Sequence, residues 1–332
     1  VNIQQLEAVC AIVRSRFNMS HAAEALGRSQ SGLSRQVKEL ELDLGAQIFV
    51  RSRNKVLGLT PQGEQILRVG QRIQQELKTL EQIAGEGASE SSGEIRVATT
   101  HVYARYLLPG TIKAFIARFP GLSLTLQQCD PGQCRQAIAS GDADVGIITL
   151  PQKPADTIVT IPAYRVPRCV VVPAGHPLLR EQPLRLKKLA EYPLIAYPAA
   201  FNGRATVEAA FARAGVKPRI VCSATDADVC KAYVQVGMGV TVLATLAFDP
   251  VADHGLVAID AGHLFQQSVV SVVFRRHSLM TRSVESFIAA FAPHFSSDLV
   301  QRAIRGGELD RARLIQRLPV AGARLEPAHR AA

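Results

Sequence analysis

Apolar positions recur every three or four residues through the first sixty residues, and small or polar residues interrupt them. Leu6, Val9, Ile12 and Val13 share one face of a first helix. Ser20 reads as the N-cap of a short second helix over 21–26, and Gly27 as its stop. A third helix starts near Ser29, runs to about Leu44 and ends at Gly45. Leu33, Val37, Leu40 and Leu44 would pack inward, while Ser31, Ser34, Arg35 and Lys38 share another face, with Gln30 at the start. Residues 49–60 read as two short strands around Asn54 and Lys55, with Arg51, Arg53 and Lys55 crowded at the tip. Thr60 as N-cap, Pro61 at the first helical position and Glu64 near the positive end then open a fourth helix.

In that helix Ile66, Gly70, Ile73, Leu77, Leu80 and Ala84 alternate steps of four and three, a seam that wants a partner helix. Residues 85–93, GEGASESSG, read as a polar linker. Beyond it strands alternate with helices. Strands are expected at 95–100, 122–127 and 145–148, with a helix over 133–140. A second set has strands at 169–172, 194–197, 219–222 and 239–243, with helices around 207–214 and from Asp226. The chain then returns along 269–275 and ends in a helix to about Phe295. The pattern predicts parallel α/β sheets in two lobes with a cleft between them. The expected units are 1–60, a linker helix and hinge at 61–92, lobe I at 93–163 with 268–295, lobe II at 164–267, and an extension at 296–332.

Charge changes this picture less than its total suggests. The 332 residues carry 38 Lys+Arg against 28 Asp+Glu, a net of +10. Residues 1–90 hold 11 basic and 10 acidic side chains, so bulk charge is a weak clue to nucleic acid there. The cations nevertheless concentrate on 14–55 and the acids on the fourth helix. The tail 301–332 holds seven Arg and reads as a solvated extension. No apolar run approaches membrane-spanning length and no secretory signal is visible, so the expected location is cytoplasmic. The six Cys form no CxxC and are expected to be reduced and buried, with Cys129 and Cys134 close enough in sequence to pair. The eight scattered His form no zinc pattern.

The chemistry concentrates on the third helix. Gln, Ser, Ser, Arg and Lys on its first turns supply the donors and acceptors that read a major groove: Arg forks onto guanine and Gln pairs with adenine. A preceding short helix completes a helix-turn-helix, and a hairpin with cations at its tip is the shape of a wing lying on phosphates. The alternative, a merely solvated face, explains the helix but not the hairpin. A dimerising fourth helix would present two recognition helices to a two-fold operator. The cleft admits two other classes, an enzyme or a solute-binding protein. No GxSxG, P-loop or GxGxxG is present, and Asp226 and Asp228 read as partners of a helix dipole, not an acid/base pair.

Residues 22–26 (AAEAL), 29–37 (SQSGLSRQV), Leu40, Glu41, Leu44, Gly45, Phe49, Arg51 and 59–63 (LTPQG) resemble the signature of LysR-type transcriptional regulators. Downstream, 98–101 (ATTH), 104–106 (ARY), 224–229 (ATDADV), 249–253 (DPVAD), 274–276 (FRR) and 291–294 (FAPH) resemble the CysB branch, which regulates sulfur assimilation. The resemblance covers roughly residues 1–300 and not the tail. It implies an N-terminal winged helix-turn-helix, a linker helix and a two-lobed, periplasmic-binding-protein-like α/β effector domain. It also implies a dimer assembled to a tetramer, promoter DNA and RNA polymerase as partners, no membrane partner, and no enzymatic activity. DNA contacts map to Ser20, Ser29, Gln30, Ser31, Ser34, Arg35, Lys38, Arg51, Arg53 and Lys55, and the dimer seam to Ile66, Ile73, Leu77 and Leu80.

No metal and no cofactor is implied beyond a small effector: an acetylserine, sulfate, thiosulfate or adenosine phosphosulfate. Its site maps to Thr99, Thr100, His101, Val102, Tyr103, Thr149, Tyr164, Val166, Asn202, Gly203 and Thr225. Hydroxyls and backbone N–H groups there are expected to hold an anion without a balancing cation. The chain departs from the branch at Val102, Tyr103, Val166 and Asn202, where the branch has Thr, Gln, Trp and Thr. Two unmade hydrogen bonds to a buried anion cost roughly 3 to 6 kcal/mol, enough to change the effector.

Overall fold

The computed structural model describes residues 1–52, 55–86, 93–149, 157–276 and 280–321. Two units emerge, Val1–Glu90 and Ser91–Ala332. The first contains α1 (Ile3–Arg14), α2 (Met19–Ala25), α3 (Gln30–Leu44), β1 (Phe49–Ser52), β2 (Lys55–Leu59) and α4 (Pro61–Glu86). The cap of α2 is Asn18, whose Oδ1 accepts from the amides of Ser20 and His21, so Ser20 lies inside the first turn instead of before it. Arg16 and Phe17, just upstream, both adopt left-handed backbone. Phe17 packs edge-on against Phe49 there, a contact that helps offset the steric cost. Ser29 caps α3 by accepting from Gly32 N–H at 3.1 Å, and Gly45 ends it in the left-handed region.

Leu33, Val37 and Leu40 bury the inner face of α3 against Ile12, Ile48 and Phe49. Leu44, expected inward, is 41% exposed because the helix stops there. β1 and β2 pair antiparallel. A Cβ at Gly63 would lie 2.0 Å from the Ile48 carbonyl oxygen, so only glycine lets α4 start against this hairpin.

The expected seam on α4 divides. Ile66 packs into the core of its own unit, and Gly70 sits against Leu6 and Cys10 of α1. Val69, Ile73 and Leu80 are exposed, while Leu77 is half-buried. Ile66 is therefore an intradomain contact, because α1 already covers that side of the helix. The unpartnered apolar stripe runs one position over, through Val69.

The second unit holds two five-stranded sheets. Lobe I comprises β3 (Gly93–Thr99), α5 (His101–Tyr106), α6 (Pro109–Arg118), β4 (Leu122–Gln128), α7 (Pro131–Ser140), β5 (Val145–Thr149) and β6 (Ile158–Val166). Lobe II follows with β7 (Arg168–Pro173), α8 (Leu186–Leu189), β8 (Leu194–Ala196), α9 (Asn202–Arg213), β9 (Ile220–Ser223), α10 (Ala227–Gln235), β10 (Val240–Ala244) and β11 (Leu256–Asp260). The chain then returns to lobe I as β12 (Ser268–Arg275), α11 (Arg282–Phe291), α12 (Ser297–Ile304) and α13 (Arg311–Arg317).

The sheet orders are β4-β3-β5-β12-β6 and β11-β7-β10-β8-β9. Both are mixed, not wholly parallel. β12 runs antiparallel to β5 and β6, and β7 antiparallel to β10 and β11, because each strand that enters from the other lobe arrives from the opposite end. The chain passes between lobes twice, at β6–β7 and at β11–β12. Phe115, Phe274 and Phe287 anchor the lobe I core, and Phe211 and Phe265 that of lobe II.

The tail departs from the solvated reading as far as it is described. Ala303, Ile304, Leu309 and Ala321 pack on the lobe I core, and Val320 bridges Arg165 on the edge strand β6. Residues 322–332 lie outside the described residues. Cys129 and Cys134 form a disulfide between the end of β4 and α7, against the expectation of reduced thiols. Among the described residues Cys10, Cys169 and Cys230 are buried and outside the disulfide, and Cys222 is half-buried. Burial pushes the Cys169 thiol up to about 12, which leaves it protonated and inert.

Candidate functional site

Between the lobes lies a cavity of about 60 Å³, several times what one ordered water needs. Lobe I lines it with Thr100, His101, Val102, Tyr103, Pro131 and Thr149. Lobe II supplies Tyr197, Phe201, Asn202, Gly203, Thr225 and Ala244, and the crossing strands supply Arg168 and Ser268. The sheet topology explains the place, since strand ends at which a chain changes direction leave a crevice.

Thr149, the last residue of β5, is gripped from both lobes. The Tyr103 hydroxyl lies 2.5 Å from its hydroxyl, and Asn202 Nδ2 donates to its carbonyl oxygen at 2.5 Å. Tyr103 and Asn202, two of the departures from the branch pattern, thus close the cleft on Thr149. Thr100 precedes α5 but its hydroxyl makes no capping bond, and it faces the cavity. The Tyr197 ring stacks on Phe201 with centroids 5.5 Å apart, and its hydroxyl is buried without a partner. Burial raises the pKa of Tyr103 and of Tyr197, so both hydroxyls keep their protons at neutral pH.

Arg168 overturns the expectation of an anion pocket without a cation. It opens β7 and is 4% exposed. Its Nη2 donates to Ser268 Oγ at 2.6 Å, which joins the two crossing strands. Nε is buried with no partner. Burial lowers the guanidinium's affinity for its proton, opposed only by Tyr103, Tyr197 and Cys169, none of them a carboxylate.

Beside the cavity, charges link the lobes. His101 Nε2 lies 3.0 Å from Asp226 and 3.4 Å from Asp228. Arg105 reaches Asp228 at 2.6 Å, and the Tyr106 hydroxyl donates to the same carboxylate. Lys231, 6% exposed, pairs with Asp228 at 3.0 Å and with Asp253 at 2.8 Å. Burial opposes ionisation of Asp228, yet the bonds from Tyr106 and Lys231 hold it below the usual carboxylate range. Asp226 caps α10 through the amides of Asp228 and Val229. The three potential ligands His101, Asp226 and Asp228 cluster closely enough for a cation. Arg105 and Lys231 already answer their charge, which makes this an ion-pair clasp between lobes.

Three expected effector contacts do not line the cavity. The Thr99 hydroxyl is spent on the Ile147 carbonyl at 2.6 Å, inside the sheet. Tyr164 turns to the far side of lobe I, where its hydroxyl donates to the Phe291 carbonyl and its ring meets Phe291 and His294. Val166 is fully buried in the lobe I core, its short side chain ending there. The polar lining residues Arg168, Tyr197 and Ser268 are not among the contacts expected from the sequence. The available signal was an Arg opening the otherwise apolar strand 168–172, a place where an unpaired charge needs a reason.

On the first unit, α3 presents Gln30, Ser31, Arg35 and Lys38 exposed, with Ser34 half-buried on the same side. Ser20 of α2 lies alongside, its hydroxyl 3.4 Å from Gln30 Oε1. Arg35 is 81% exposed and reaches Glu39 at 2.8 Å. Arg51 does not project from the wing: it folds back on Glu41 at 2.9 Å, whose other oxygen accepts from the amides of Ile48 and Phe49. Glu41 thus holds Arg51 against the domain. Lys55 is exposed, and Arg53 lies outside the described residues.

A helix-turn-helix with a wing, joined in one chain to a two-lobed α/β unit with a lined cleft, defines a ligand-responsive transcriptional regulator. The chain belongs to the LysR family. Residues 3–64 match the bacterial regulatory helix-turn-helix of that family, and residues 88–296 match its substrate-binding domain. The chain is 41% identical to the HTH-type transcriptional regulator SsuR of Burkholderia cenocepacia, over 92% of this chain and 99% of that one. It is 36% identical to CysB of Haemophilus influenzae, over 92% and 94%. Among solved structures, the cofactor-binding domain of the Cbl regulator matches with a TM-score of 0.62 at 34% identity, covering 65% of this chain and 95% of that one. Full-length CbnR bound to its target DNA shares the fold, with a TM-score of 0.62 at 22% identity over 91% and 100%. No described helix is long and apolar enough to cross a membrane.

Proposed function

We propose that this LysR-type regulator controls genes of sulfur metabolism and responds to a small anion bound between its lobes. Gln30, Ser31, Ser34, Arg35 and Lys38 read bases, while Ser20, Ser29, Arg53 and Lys55 hold the phosphates, and Arg51 stays paired with Glu41. The exposed stripe Val69–Ile73–Leu80, with Leu77 beside it, pairs with the same helix of a second copy. Dimers assemble to a tetramer on promoter DNA and engage RNA polymerase.

The sulfur assignment is supported by the CysB-branch motifs and by the identities to SsuR and CysB. The observation that carries the anion is the cavity lining, which offers hydroxyls from both lobes and a buried cation, with no carboxylate among the residues that line it. Footprinting of the full chain on promoters of sulfur-acquisition genes tests the reading, with sulfate, thiosulfate, acetylserines and adenosine phosphosulfate added singly. At least one is expected to change the footprint's length or affinity. Equal affinity for these promoters and for random DNA would sink the assignment.

A further inference from the structure

We propose that Arg168 selects the effector by charge: its guanidinium receives an oxyanionic end group, and the rest of the ligand lies on the stacked Tyr197–Phe201 rings. The inference rests on the cleft being the effector site and names the group that sets its specificity. A guanidinium offers five N–H donors, and among the described residues this one uses a single bond, to Ser268. It is 4% exposed, its Nε has no partner, and no described carboxylate stands among the groups that act on it. Arg96, by contrast, is held by Asp144 at 2.8 Å. A buried charge left without a counter-ion is costly to the empty protein and is explained by a ligand that supplies the counter-ion.

Three further features converge on the same point. The Tyr197 hydroxyl, on a residue 8% exposed, is a second buried donor with nothing to bond. The first turn of α9 has no side-chain cap, so its positive end is unanswered beside the cavity. A Cβ on Gly203 would stand 3.2 and 3.3 Å from the two terminal nitrogens of Arg168, so glycine is what lets that helix start pass flush against the guanidinium. Charge, hydroxyl and helix end together fit a forked oxyanion, either a sulfur oxyanion or a carboxylate. Because Arg168 and Ser268 open the two strands that cross between lobes, an anion held here bears on both crossings.

Titration calorimetry of the full chain with sodium methanesulfonate, sodium acetate and the neutral isostere dimethyl sulfone tests this. Wild type is expected to bind at least one anion and not the sulfone, and the two anion arms separate a sulfonate site from a carboxylate site. Arg168→Met should weaken anion binding by roughly 10- to 100-fold, with Arg168→Lys intermediate because it keeps charge without the fork. Ligand-free Arg168→Met should melt at or above the wild-type temperature, which a structural arginine would not allow. Unchanged anion affinity in Arg168→Met, equal binding of the sulfone, or a lowered melting temperature of that variant would each overturn the proposal. Wild-type protein that binds its promoter yet takes up neither anion would overturn this proposal alone. Loss of promoter preference would instead strike the regulator reading.

Discussion

Two arginines serve the two proposed functions in opposite states. Arg35 on the groove helix is 81% exposed and rests on Glu39, four residues on. Arg168 in the cleft is 4% exposed and has one hydroxyl for company. An exposed ion pair is worth little, so Arg35 can exchange Glu39 for a base or phosphate with a small penalty. A buried guanidinium has no water to fall back on, so its free state is disfavoured and its bound state gains the difference. On the proposed reading the DNA surface is arranged for exchange among many similar sites, and the cleft for discrimination of one ligand by charge.

Lys231 breaks the comparison most sharply, because it is a buried cation in the same unit with its partners in place. Lys231→Met would strand Asp253, 11% exposed, and remove both the i,i+3 partner of Asp228 within α10 and the bond to the Tyr106 hydroxyl across the lobes. A loss of about 3 kcal/mol in denaturant unfolding is expected, the cost of leaving a buried carboxylate unpaired. Arg168→Met should show no such loss. If both variants are destabilised alike, burial and not pairing governs these sites. Next in size is Arg35→Ala. Specific promoter affinity should fall by about 1 to 3 kcal/mol, with unfolding free energy changed by less than about 0.5 kcal/mol. Gel shifts against specific and random DNA check it, and an equal loss on both would demote Arg35 to a phosphate contact.

The difference between the two regions also explains what could be read from sequence. The groove helix is local: Leu33, Val37 and Leu40 fix its buried side, so the position of Arg35 follows from periodicity alone. The cleft is assembled by segments far apart in the chain. Arg168 meets Ser268 a hundred residues on, and no local pattern encodes that pairing. Tyr164 and Val166 were placed by family likeness on a strand whose sides are decided by the crossing at Pro167. Asn18 displaced Ser20 as a cap because either residue type serves and only the left-handed turn at Arg16 and Phe17 decides which. Arg51 was legible as a cation, while its capture by Glu41 depends on how the wing folds over α3.

A smaller effect concerns the clasp. Asp228 is held below the usual carboxylate range, so its contribution is complete above about pH 4 and is lost as pH falls through the lowered value. Lys231 is held above its usual range, so its contribution is complete below about pH 10 and is lost as pH rises past the raised value. Between these limits the contributions of Asp228 and Lys231 themselves should not change with pH. Unfolding midpoints measured from pH 3 to 8 should therefore fall at the acid end in wild type and fall less in Asp228→Asn. Parallel acid slopes would assign that loss to other carboxylates.

The smallest expected effect separates the cations of the wing. Both Lys55 and Arg51 are exposed, but Arg51 is held by Glu41 at 2.9 Å. A phosphate contact releases condensed counter-ions, so Lys55→Ala should lower promoter and random-DNA affinity alike and reduce the magnitude of the salt slope by about 1. Arg51→Ala should leave that slope nearly unchanged, since its charge is already answered inside the domain. Its effect should appear instead as a modest loss of stability, because Glu41 would keep its two backbone bonds but lose its cation. A fall in slope as large for Arg51→Ala as for Lys55→Ala would mean that Arg51 leaves Glu41 on DNA, and the wing would then exchange partners just as Arg35 does.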